Sequence, residues 1–142
     1  MKIAIGADHA GFIYKEQLKK SLASLGHEVA DFGPLTPDSV DYPDFVHPVA
    51  ESVKKNLFDF GILICGSGQG VSITANKHKG IRAALAWNAK VTQLSRQHND
   101  ANIICLPARF IAYEIAESLV CLFLETKFEA GRHQRRVNKI NC

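Results

Sequence analysis

No run of apolar residues in this 142-residue chain approaches the length needed to cross a membrane, which excludes a spanning helix. The opening Met1-Lys2-Ile3-Ala4 lacks the basic-then-apolar form of a secretion signal, so a soluble cytoplasmic protein is expected, with no membrane partner. Cysteine is sparse: Cys65, Cys105, Cys121 and Cys142 form no C-x-x-C pair and show no metal-ligand spacing. A disulfide framework is not expected in a domain of this size without a secretion signal, and the spacing gives no metal site. Internal repeats, low-complexity stretches and linkers are also missing, which leaves one domain over residues 1–142.

Charge is scarce except at one end. The net charge is +3, yet residues 127–142 hold Lys127, Arg132, Arg135, Arg136 and Lys139 against Glu129 alone. That tail carries +4 and leaves −1 for everything before it, so the chain has no broad basic face. The tail also lacks interleaved aromatics, which weighs against a nucleic-acid partner and points to a small anion. Arg132 and Arg136 are four residues apart, so on a helix they share a face and can hold one phosphate. The plainer alternative for the same residues is a solvated basic end.

What the chain does have is alternation. Apolar, β-rich runs at Lys2–Ala7, Glu28–Phe32, Gly61–Cys65, Ile81–Ala86 and Asn102–Leu106 are separated by segments with apolar residues at helical spacing. The helical stripes read Leu18-Leu22-Leu25, then Val46-Val49-Ala50-Val53-Leu57, then Ile111-Ile115-Leu119-Leu122. Strands without polar alternation are buried on both faces, and helical crossovers make them parallel. The expected fold is a three-layer α/β/α sandwich around a five-stranded parallel sheet, Rossmann-like in its winding. Gly33–Pro43, with three prolines, reads as a long surface loop.

Open parallel sheets bind ligands beyond the carboxyl ends of their strands. Two such ends here are rich in glycine and polar residues: Asp8-His9-Ala10-Gly11 and Cys65-Gly66-Ser67-Gly68-Gln69-Gly70. The second is not a dinucleotide fingerprint, since Gly66, Gly68 and Gly70 give G-x-G-x-G and no acid follows near Trp87. It is not a phosphate-binding P-loop either, because Val71-Ser72 follows Gly70 where a lysine would stand. A phosphatase-like cysteine loop would need an arginine at Val71. What remains is a run of inward-facing amides at a helix start, able to stabilise an oxyanion such as a phosphate or an enolate. Cys65 stands at the mouth of that loop. It is either the last buried residue of its strand or a thiolate acting as nucleophile or base.

The remaining polar groups allow two readings each. Asp8 caps a helix or, with His9, binds a hydroxyl or phosphate. His98, in Ser95-Arg96-Gln97-His98-Asn99-Asp100, is a solvated histidine or a proton carrier.

Taken together, "GADHAGF" at 6–12, "DYPDF" at 41–45, "GILICGSGQGVSITANK" at 61–77, "GIRAAL" at 80–85, "LSRQHNDANI" at 94–103 and "GRHQRRV" at 131–137 resemble the type B ribose-5-phosphate isomerases. That family includes galactose-6-phosphate isomerase subunits and an allose-6-phosphate isomerase activity. The resemblance runs through nearly the whole chain, in order.

It implies interconversion of ribose 5-phosphate and ribulose 5-phosphate through an enediolate, with no metal and no organic cofactor. By analogy Cys65 is the base that removes the C2 proton. The loop Gly66, Ser67, Gly68, Gln69 and Gly70 holds the enediolate oxygens, and Ser67 aids proton exchange between them. His98 is the acid that opens the furanose ring. Asp8 and Asn99 match sugar-hydroxyl positions, Tyr42 a substrate-binding one, and His9, Arg109, Arg132 and Arg136 phosphate- and substrate-binding ones. The resemblance also implies a homodimer or tetramer with a site shared between subunits.

One branch of the family carries a glutamate base four positions after the thiol. Gln69 stands there, so the thiol branch is the consistent assignment. Arg135 has no counterpart role. A hexose-6-phosphate isomerase on the same scaffold is the nearest rival. A non-catalytic nucleotide or nucleic-acid binding module is the rival from another class. A redox role for Cys65 would need a resolving thiol, and Cys105 is the one that folding could bring near.

Overall fold

A computed structural model describes residues 1–140, so Cys142 lies outside the described residues. Five strands form the sheet: β1 (Lys2–Ala7), β2 (Glu28–Asp31), β3 (Phe60–Cys65), β4 (Ala83–Leu85) and β5 (Ile103–Pro107). All neighbours pair in parallel, in the order β2-β1-β3-β5-β4. Six helices complete the described chain: α1 (Phe12–Ser24), α2 (Pro43–Lys54), α3 (Gln69–Ala75), α4 (Ala89–Asn99), α5 (Tyr113–Glu125) and α6 (Arg132–Val137). No helix among the described residues is long and apolar enough to cross a membrane.

Period-two alternation divides each central strand between two cores. Ile3, Ile5, Ile62, Ile64, Ile104 and Leu106 face α1 and α5, where Leu18, Leu22, Leu119 and Phe123 meet them. Ala4, Leu63, Cys65, Ile103 and Cys105 face the other way, onto Val46, Val49 and Ala50 of α2 and Val71 and Ala75 of α3. The expected three-layer parallel sandwich is therefore present.

Strand bounds shift by one residue at β2, β3 and β5, and larger differences from the sequence reading lie elsewhere. The fourth strand shrinks from Ile81–Ala86 to Ala83–Leu85. The Ile81 amide bonds the His78 carbonyl and the Arg82 amide bonds the Asn102 side chain, so neither joins the ladder there. The α5 stripe is also displaced: its buried face is Ala116, Leu119, Val120, Phe123 and Leu124, while Ile115 is exposed. Leu25 and Leu57 fall past the ends of α1 and α2 and are exposed as well.

The winding places the ligand crevice. From β1 the chain moves outward to β2, then returns across β1 to reach β3. The strand order therefore reverses between β1 and β3, and the carboxyl ends on either side of that reversal carry Asp8 and Cys65. The Gly33–Pro43 segment covers this end. Its start is pinned where the Ala7 amide donates to the Gly33 carbonyl at 2.9 Å and the Gly33 amide donates to Asp31 Oδ1 at 2.8 Å. Its end delivers Tyr42 to the first turn of α2.

Candidate active site

A cavity of about 420 Å³ opens at the crevice, lined by Asp8, His9, Tyr42, Cys65, Gly66, Ser67, Gly70 and Arg109, with Ala10 and Phe110. Most of the lining comes from strand ends, and Tyr42 comes from the start of α2. Asp8 follows β1, and its Oδ1 accepts the Ala10 and Gly11 amides at 2.9 and 3.1 Å, which fixes the turn into α1. His9 accepts the Val40 amide at 3.4 Å through Nδ1, tying the covering loop to the β1 end. Arg109 follows β5; its amide bonds the Gly66 carbonyl at 3.0 Å, and its side chain lies against Gly66.

Cys65 is both a core residue and the floor of the cavity. It is 4% exposed, yet Sγ accepts a hydrogen bond from the Gly68 amide at 3.1 Å. That amide is one of the helix-start donors of α3, and such a donor stabilises negative charge on sulfur. Gly68 has φ of 72°, a left-handed conformation that glycine adopts without strain. Gly70 has a second reason to be glycine: a Cβ there would stand 2.5 Å from the Tyr42 ring. The Gln69 amide bonds Ser67 Oγ at 3.3 Å, and the Gln69 side chain sits in a neighbouring apolar cavity with Leu85, Trp87 and Phe110.

Cys105 does come close to Cys65 in space. It lies on β5 opposite Leu63, on the same face of the sheet, and both thiols are free. Burial, and then the neighbouring Cys65, push the Cys105 thiol well above its ordinary range. It stays protonated and is a poor resolving group.

Six expected site residues do not line this cavity: Gly68 and Gln69 belong to the same loop, and the other four lie elsewhere. Asn99 lies beside a separate cavity with Asn76, Ile81 and Arg82, and its carbonyl accepts the Arg82 Nε hydrogen at 3.0 Å. His98 stands near the end of α4, half exposed, and stacks on His133 of α6. Arg132 and Arg136 are both exposed on α6, four residues apart and so on one face of the helix. Within one chain the expected residues thus form two groups: one around Cys65, the other on α4 and α6.

The second group includes residues that the sequence reading passed over. His98, Glu129 and His133 each offer a ligand atom within 4.8 Å of the others, the one such His/Cys/carboxylate trio among the described residues. A His-carboxylate-His set can hold a divalent cation, but no sequence spacing announces it, because α4 and α6 meet only in the fold. Burial first, and then the charges of His98, Arg132 and Arg136, hold His133 below the usual imidazole range.

A larger cavity, of about 570 Å³, lies at the amino ends of the strands. Its two arginines, Arg82 and Arg96, are both paired with Asp100 at 2.9 and 2.8 Å, and no thiol or imidazole lines it. The thiol of Cys65 and the imidazole of His9 line the cavity at the other end of the sheet.

Residues 3–140 match the ribose/galactose isomerase family. Escherichia coli ribose-5-phosphate isomerase B is 45% identical over 141 residues, 99% of this chain and 95% of that one. A crystal structure of a ribose 5-phosphate isomerase from Thermotoga maritima superposes with a TM-score of 0.96 at 50% identity, covering 99% of this chain and 97% of the other. Ribose-5-phosphate isomerase B from Mycoplasma genitalium, solved with bound ribulose 5-phosphate, superposes at 0.95 with 46% identity, covering 98% and 93%.

Proposed function

The chain belongs to the ribose/galactose isomerase family, and from that premise we propose that it interconverts ribose 5-phosphate and ribulose 5-phosphate through an enediolate. The observation that carries the reading is Cys65, a thiol on the floor of a polar cavity with a helix-start amide 3.1 Å from its sulfur. Ribose 5-phosphate is mostly a closed furanose, so His98 first donates a proton to the ring oxygen as the bond from C1 to that oxygen breaks, while the C1 hydroxyl gives its proton to water and becomes the aldehyde oxygen. The C2 proton is then acidic, and the Cys65 thiolate removes it. Negative charge moves to the C1 oxygen, where the amides of the 66–70 loop stabilise it. Ser67 passes a proton between the C1 and C2 oxygens, and the Cys65 thiol returns its proton to C1.

Asp8, Tyr42 and Asn99 bind sugar hydroxyls in this scheme, while His9, Arg109, Arg132 and Arg136 hold the phosphate. The basic tail 127–142 then belongs to the same single domain as a phosphate-binding element. The two groups occupy different places in one chain, so we assign the working site to a homo-oligomer. His98, Asn99, Arg132 and Arg136 of one subunit complete the Cys65 cavity of another. A cytoplasmic setting fits three free thiols, Cys65, Cys105 and Cys121.

Two measurements test this. Purified protein is assayed on ribose, allose and galactose phosphates side by side; the ribose ester is expected to turn over fastest, and no isomerisation of any of them sinks the reading. Cys65→Ala and His98→Asn chains, each inactive alone, are then unfolded together and refolded as a mixture. In a dimer with shared sites, mixing gives half heterodimers with one intact site of two, or about a quarter of full activity. No recovery in verified heterodimers would place both residues in one subunit's site.

A further inference from the structure

We propose that His133 is the positioning residue for His98, holding its ring in the orientation that ring opening requires. This rests on the reading of His98 as the ring-opening acid. The two imidazoles lie face to face, 4.1 Å between centroids and 8° from parallel. Glu129 Oε2 stands 3.9 Å from Nε2 of each, so both rings present the same edge to one carboxylate. His133 is 7% exposed and His98 is much more open, so His133 forms the wall behind His98 and is not itself a surface for substrate.

The wall is firmly built. His133 and Val137 are the buried residues of α6. The Glu129 amide bonds the Gln97 carbonyl at 3.0 Å, tying the approach to α6 onto α4 beside His98. Ala130 turns the chain into α6 at φ of 53°, a conformation that costs a residue with a side chain about 1 kcal/mol or more. An imidazole near a half-exposed helix end has several open rotamers, and a general acid contributes only from the one aimed at its acceptor. Stacking removes the others.

The groups facing His133 are His98 of α4, Arg132 and Arg136 of its own helix, and Glu129 before it. Its flat ring serves His98 as an aromatic surface.

The test compares His133→Ala, which removes the stack, with His133→Phe, which keeps a flat ring without nitrogens. Two reactions are followed: isomerisation of ribose 5-phosphate, and exchange of the C1 proton of ribulose 5-phosphate with deuterated solvent, which needs no ring opening. His133→Ala is expected to lower kcat for ribose 5-phosphate about 10- to 100-fold, with KM within about twofold and exchange within about threefold. His133→Phe should bring kcat back to within about threefold of the unaltered protein.

Equal loss of both reactions, a raised KM at unchanged kcat, or full kcat in a folded His133→Ala protein would each overturn the proposal. If His133→Ala does not fold, His133→Phe is compared with His133→Gln, which fills the space without the ring; equal kcat in those two overturns it as well. A readout independent of turnover is the upfield ring-current shift of the His98 ring protons, expected in the unaltered protein and in His133→Phe and lost in His133→Ala. An inactive but properly shifted unaltered protein would refute the isomerase reading while leaving the stack in place. An unshifted His98 would refute the stack whatever the activity.

Discussion

Replacing Cys65 separates the two roles that a buried strand-end thiol can have. Alanine removes one sulfur from a site 4% exposed and leaves the Gly68 amide without the acceptor it has at 3.1 Å. An unpaired buried donor costs about 1–3 kcal/mol, and a one-atom void about 1 kcal/mol. Against a domain stability of about 5–15 kcal/mol, that loss leaves most of the protein folded. Removal of a catalytic base costs about 10²–10⁴ in rate, equivalent to about 3–5 kcal/mol of transition-state stabilisation.

Stability and activity therefore diverge, and serine makes the divergence visible. Cys65→Ser keeps an acceptor for the Gly68 amide but offers a hydroxyl that is no base near neutral pH. The expected pattern is a lowered melting temperature in Cys65→Ala, largely restored in Cys65→Ser, with both at least a hundredfold slower. Isomerisation and C1 proton exchange should fall together in both variants, since the thiol serves both. A folded Cys65→Ser protein with more than about one-tenth of normal turnover would refute thiolate catalysis and return Cys65 to a packing role.

Gly70→Ala pushes a methyl group to 2.5 Å from the Tyr42 ring, so Tyr42 must move and kcat/KM for ribose 5-phosphate should drop about tenfold in steady-state assays. Lys15 is fully buried against Asp31 at 2.6 Å, so Asp31→Asn should lose about 3 kcal/mol at pH 7 in denaturant titrations. Burial alone would raise the Asp31 carboxyl, but hydrogen bonds from Lys15, Lys19 and the Gly33 amide hold it below its ordinary value. Its stabilisation is thus full above the unfolded carboxylate pKa and lost as pH falls through the folded one, so acid should destabilise the unaltered protein more than Asp31→Asn. Prolonged EDTA treatment should leave activity intact, whereas added zinc should inhibit by engaging His98, Glu129 and His133, with EDTA reversing it; inactivation by EDTA would refute metal-free chemistry.

The sequence was most legible where burial is symmetrical. Lys2–Ala7 appears with its predicted bounds and Gly61–Cys65 gains only Phe60, because a strand buried on both faces leaves an unbroken apolar run. The α5 face could not be read that way. YEIAESLVCLFLE is apolar over most of its circumference, so packing on the sheet, and not periodicity, selects Ala116 and Val120 over Ile115 and Leu122. The start of the fourth strand misled because the His78 carbonyl takes the Ile81 amide and the Asn102 side chain takes the Arg82 amide, the second a contact between distant parts of the chain.

At the site, strand ends and glycines marked Asp8, His9 and the 65–70 loop on physical grounds. Arg109 and Tyr42 entered through family resemblance alone, and the structure brings both into the same cavity. His133 lay within a quoted motif, but nothing in its spacing pairs it with a histidine 35 positions away.

The division of the site into two groups follows from charge. A sugar phosphate brings close to two negative charges into a cavity where Arg109 is the one permanent cation and Asp8 opposes it. Holding Arg132 and Arg136 in that cavity within one chain would place two more guanidiniums beside Arg109 before any anion arrives, at a cost in folding. Their place on α6, exposed to water, avoids that repulsion, and in the proposed oligomer they would reach the cavity from another subunit. Trp87 and Phe110 are 51% and 75% exposed and line the neighbouring apolar cavity, apolar area that a partner subunit in the proposed dimer would remove from water. In the proposed dimer, association therefore does two things at once: it buries these two aromatics and brings the phosphate-binding arginines and His98 to the thiol.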